Sequence, residues 1–173
     1  VAAIASGVLI TTAGQLQSQA SQTGQESAEE VSNTLQINQI LGTANTSSGT
    51  TKIENLRAPI SLGPGADSVE MNETSYIIET KGDTNAATVI SGNESTTGLS
   101  YNQSQGLDDG ETTLTDQSQI IIAKFDLTQI DEINTLSAGD RVSITVRAPA
   151  GGRTLAEKQA PGDLKDGSSY QLE

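Results

Sequence analysis

The first sixteen residues, Val1-Ala-Ala-Ile-Ala-Ser-Gly-Val-Leu-Ile-Thr-Thr-Ala-Gly-Gln-Leu16, carry no charge, and this run constrains everything that follows. Val1, Ile4, Ala5, Val8, Leu9 and Leu16 fall at helical spacing, with Ala3, Ser6, Gly7, Ala13 and Gly14 between them. No N-cap residue opens the run and the chain does not begin with Met. The expectation is a helix that starts upstream, with Val1 an internal position of a longer precursor. Sixteen residues fall short of the roughly 20 that a membrane span requires. The spacing Ala3-x-x-x-Gly7 suits close helix packing away from water.

The helical pattern continues from Gln15 to Leu35, where Ala20, Ala28, Val31 and Leu35 keep a weak apolar stripe among Gln and Glu. At about 1.5 Å per residue, some 35 residues make a rod of roughly 50 Å. A domain built from the rest of the chain is too small to cover it. Ile4, Val8, Leu9, Ile10 and Leu16 are each worth about 1.5–3 kcal/mol on full burial, so the tip offers on the order of 10 kcal/mol before ordering costs. A lone subunit in water cannot collect that energy. The organisation expected is a helix over residues 1–41, a polar linker over 42–51 (Gly, Thr, Asn and Ser), and a β domain over 52–173.

Beyond the linker the period changes to two. Leu56, Ala58, Ile60 and Leu62 alternate with other residues, as do Val69 with Met71 and Tyr76 with Ile78. Residues 91–117 are polar, carry the Asp108-Asp109-Gly110 turn signal, and read as a long loop or weak edge strands. Residues 119–127 read as a central strand. Arg141–Arg147 alternates cleanly, with Val142, Ile144 and Val146 on one face. Thr154–Ala156 and Tyr170–Leu172 read as closing strands. Short strands separated by turns point to an antiparallel sandwich or barrel, so the fold class is α+β.

Composition narrows the chemistry. The chain of 173 residues has no Cys and no His, which removes disulfides, thiolate sites and His-based catalysis. Lys and Arg total 9 against 22 Asp and Glu, a net charge of −13 that argues against nucleic acid. Scarce lysine on an acidic surface fits a protein soluble in concentrated salt, with a secreted acidic protein from an ordinary medium as the alternative. Asp108-Asp109 lacks the spacing of a calcium loop. Glu26, Glu29 and Glu30 read as solvated charge on a helix face rather than catalytic carboxylates. No enzyme, cofactor or metal site is expected. Four Asn-x-Ser/Thr sequons, at Asn45, Asn72, Asn93 and Asn102, are candidate glycosylation sites.

Val1 to Ser18, followed by Gln25-Glu-Ser-Ala-Glu-Glu-Val31, resembles the N-terminal helix of archaeal flagellins (archaellins), particularly those of salt-loving archaea. The resemblance is specific over residues 1–40 and one of character beyond. The family begins its mature chain with a further apolar stretch that this chain lacks. The resemblance implies a type IV pilin-like precursor cut by a prepilin-type peptidase and anchored in the membrane before assembly. It implies an extracellular filament of identical or closely similar subunits, turned by a motor at a membrane platform for swimming. Val1, Ile4, Val8, Leu9, Ile10 and Leu16 would face neighbouring helices in the filament core. The outer domain would be an immunoglobulin-like β-sandwich carrying N-glycans. An adhesive type IV pilus subunit is the alternative; a sugar-binding module and a carboxylate hydrolase fit less well.

Overall fold

A computed structural model describes residues 15–23, 34–47, 49–93 and 96–173. Residues 15–23 are helical and exposed throughout; the rest is mostly antiparallel β-structure. Twelve strands follow in order: β1 (Leu35–Ile37), β2 (Leu41–Ser47), β3 (Thr50–Leu62), β4 (Val69–Glu70), β5 (Ser75–Lys81), β6 (Ala86–Ser91), β7 (Leu99–Gln105), β8 (Thr113–Leu114), β9 (Ile120–Asp126), β10 (Arg141–Arg147), β11 (Arg153–Gln159) and β12 (Ser169–Gln171). One sheet runs β12-β2-β3-β9-β7, with β1 also paired to β3; a second runs β11-β10-β5-β6; β4 and β8 form a short ribbon.

The two large sheets pack face to face. Tyr76 on β5 meets Phe125 on β9 edge-to-face, with ring centroids 5.2 Å apart and planes at 70°. The period-two pattern explains which side chains reach that layer. On β10, Val142, Ile144 and Val146 are buried while Arg141 and Arg147 are exposed, as the alternation requires. On β9, Ile121, Ala123 and Phe125 are buried, and the strand lies between β3 and β7, the central place its apolar run predicts.

Two expectations are corrected. The helix expected over 1–41 does not reach its end, because Leu35–Ile37 is a strand with Leu35 opposite Leu62. Leu35 and Ile40 are buried in the sandwich core, so pairing with β3 outweighs a weak helical stripe. The linker expected over 42–51 is mostly sheet: it supplies most of β2 and the start of β3. Gly42 and Ala44 point inward and Thr43 and Asn45 outward, a strand pattern concealed by small residues. A Cβ on Gly42 would lie 2.9 Å from Ile53 Cγ2, so a larger residue there would push the Ile53 side chain aside. The polar stretch 91–117 contains β7 and β8, with β7 at a sheet edge.

Polar side chains fix the ends of the sandwich. The Glu70 carboxylate accepts hydrogen bonds from the Thr112 and Thr113 hydroxyls and from the Asn72 backbone N–H, tying β4 to β8. Partial burial acts to raise the Glu70 pKa, but these donors outweigh it and hold the carboxyl below its ordinary value. The Tyr101 hydroxyl donates to the Met71 carbonyl and lies 3.0 Å from the Tyr76 hydroxyl. Burial, aided by Tyr101, pushes the Tyr76 phenol well above its usual range and keeps it neutral.

Candidate assembly and glycosylation surfaces

Of the residues expected to face neighbouring helices, Val1, Ile4, Val8, Leu9 and Ile10 lie outside the described residues. Leu16 lies within them, in the helical segment, with 62% of its surface exposed. Nothing among the described residues covers this leucine. Among the described residues, no helix is long and apolar enough to cross a membrane.

The four sequons fall into two kinds of place. Asn45 is half-buried on β2, and its side-chain amide donates to Glu54 on β3. Asn72 sits in the 3-10 turn Met71–Glu73, where its amide donates to the Thr112 hydroxyl at 2.8 Å. The acceptor of that sequon, Thr74, is buried, and its hydroxyl donates to the Met71 carbonyl at 2.7 Å. Asn93 is exposed just beyond β6, and Asn102 is exposed on the edge strand β7 with Ser104 also exposed. A motif search sees four equal sites; burial separates them.

The other candidate chemistry is local structure. Asp108 and Glu111 close their turn on themselves, with the Glu111 N–H donating to the Asp108 carbonyl and the Asp108 N–H to the Glu111 carboxylate. Glu26, Glu29 and Glu30 lie outside the described residues. Among the described residues, no three His, Cys, Asp or Glu come together as a metal site. Sequence reasoning missed the Glu70 clamp, because its two hydroxyl donors lie more than 40 residues away and no local spacing marks them.

The described residues combine an exposed helical segment carrying Leu16 with a domain of two packed antiparallel sheets. The family model for archaeal-type flagellin matches residues 1–158, and the chain belongs to that family. It is 33% identical over 172 residues to flagellin B2 of Halobacterium salinarum, covering 99% of this chain and 86% of that one. It is 34% identical over 187 residues to flagellin A2 of Haloferax volcanii, covering 95% and 83%. The fold is similar to that of the archaeal flagellum of Methanospirillum hungatei, with a TM-score of 0.69, 10% identity, and 96% of this chain and 89% of that one covered. Crystalline archaeal flagellin FlaB1 of Methanocaldococcus jannaschii gives a TM-score of 0.64 at 11% identity, covering 81% and 96%.

Proposed function

We propose that this chain is the repeating structural subunit of an archaeal flagellum, with N-terminal segments packed at the filament axis and β-sandwiches facing solvent. The family match over residues 1–158 carries this reading, because it spans both the uncharged leader and most of the sandwich. The flagellin relatives from halophiles favour a swimming filament over an adhesive pilus and agree with the acidic, lysine-poor surface. The chain divides into a filament-core part that ends before β1 and an outer domain from β1 onward, of immunoglobulin-like build. The core part is a long helix, with Val1, Ile4, Val8, Leu9, Ile10 and Leu16 against copies of themselves. Contacts that repeat without closing generate a helical polymer rather than a ring. Before assembly the same apolar segment keeps the precursor anchored in the membrane, and a motor at a membrane platform turns the finished filament.

Electron microscopy of the purified protein tests the assembly. Filaments are expected, with Leu9→Asp giving folded but unassembled subunits; wild-type protein that stays monomeric at high concentration in salt overturns the reading. Glycans are proposed at Asn93 and Asn102, whose amides are on exposed chain. Glycopeptide mass spectrometry of native filaments is expected to find these two occupied and Asn72 bare. An occupied Asn72 requires its hydrogen bond to Thr112 to be broken, and contradicts the assignment.

A further inference from the structure

The outward face of the β11-β10-β5-β6 sheet carries an unusual pattern. Strand register places Leu155, Thr145, Ile77 and Val89 in one row across all four strands. At about 4.8 Å per strand spacing, the row is roughly 14 Å wide. Leu155 and Val89, at its two ends, are 63% and 68% exposed. Among the described residues the other large exposed hydrophobic is Leu16, so two of the three share this face.

Charge is concentrated there as well. Lys81, Arg141, Arg147 and Arg153, four of the chain's nine cations, are exposed on the same face, where the carboxylates are Glu79, Glu157 and Glu173, the last paired opposite Gln159 by reciprocal backbone hydrogen bonds. That leaves five cations and nineteen Asp and Glu residues for the rest of the chain. Glu79 lies 3.8 Å from Lys81 and Glu157 lies 4.0 Å from Arg141; among the described residues these are the ion pairs. Arg147 and Arg153 instead stand directly opposite each other across the strands, beside the apolar row. Like charges in that position repel, and among the described residues no ion pair involves either arginine.

We infer that this face is where a second copy of the chain docks in the filament. The inference rests on the filament reading. The copy meets the face with acidic surface from elsewhere on its own outer domain, so the two partners present different patches and the contact can repeat. In concentrated salt, where the Debye length falls to about 3 Å at 1 M, the apolar row supplies the attraction. Arg147 and Arg153 set the register, since short-range pairing survives screening that removes long-range fields.

The chain has no cysteine, which allows a clean footprint on assembled full-length filaments. Leu155→Cys and Val89→Cys are labelled with a soluble maleimide in intact filaments and in subunits dissociated from them. Slowing of labelling by about tenfold or more in filaments at both positions is expected; a smaller effect at either overturns the docking face. Should either cysteine variant fail to assemble, wild-type filaments are treated with phenylglyoxal. Arg147 and Arg153 are then read by mass spectrometry against dissociated subunits, with the same criterion. Absence of wild-type filaments defeats the filament reading itself. Filaments that form while the face labels freely defeat only the docking face.

Discussion

Phe125→Ala lowers the unfolding midpoint of dissociated subunits by roughly 10–20 °C, the largest loss expected from any truncation in the sandwich. Phe125 is fully buried on the central strand β9. Leu56 on β3 and Leu99 on β7 stand directly opposite it on either side. Above it, across the interface between the sheets, lies the edge of Tyr76, also fully buried. Removing the ring takes away about 3–5 kcal/mol of burial and cavity energy, and within this an aromatic contact worth on the order of 1 kcal/mol. Neighbours cannot collapse into the space, because Leu56 and Leu99 are held by backbone ladders on strands of the same sheet. Phe125→Leu keeps most of the volume and costs much less, roughly 1–2 kcal/mol. Thermal unfolding followed by circular dichroism, at fixed salt and protein concentration, measures both. A drop of under about 3 °C for the alanine variant means that the sheets are not joined through this ring pair.

Legibility in the sequence followed whether a strand's signal was local. β10 alternates large β-branched residues with charged ones, so its limits at Arg141 and Arg147 and its buried face were readable directly. β9 was readable because a strand covered on both flanks is apolar nearly throughout. β2 was not. Its inward residues are Gly42 and Ala44, chosen for the room that Ile53 leaves, and small residues among Thr and Asn look like a linker until the partner strand is known. β7 was readable only as one of two alternatives, a loop or a weak edge strand, because beyond Leu99 and Tyr101 it is polar, as an edge strand with one wet side can be. The sequons were legible as motifs but not as surfaces, since Asn72 is engaged by a residue 40 positions away. On the proposed docking face, the outward position of Arg141 and Arg147 could be read from β10 alone. Only the topology brings Leu155 and Val89 into line with Thr145 between them.

Gly92→Ala is expected to cost about 3–5 kcal/mol, although it adds one carbon at a position with no special backbone angle. Gly92 follows β6 and is buried, and its N–H donates to the Thr74 carbonyl at 2.8 Å. A Cβ there would overlap the Met71 carbonyl oxygen and lie 2.5 Å from the Thr74 hydroxyl and 2.8 Å from the Thr74 carbonyl oxygen. Two of these three atoms are backbone and cannot swing aside as a side chain would. The Met71 carbonyl also accepts the Tyr101 and Thr74 hydroxyls, so moving it breaks buried hydrogen bonds that link the 3-10 turn to both sheets. Overpacking of about 1–3 kcal/mol therefore adds to an unsatisfied buried group of similar cost. Gly162→Ala is the control: nothing lies within 4 Å of its added carbon, and its effect should stay within about 0.5 kcal/mol. A cycle with Tyr101→Phe separates the two parts, because both changes act on the Met71 carbonyl. Their costs should fall short of additivity by about 1 kcal/mol, measured by urea unfolding. Should Gly92→Ala behave like Gly162→Ala, the 71–74 turn is free to move, and it cannot be what positions Tyr101 against Tyr76.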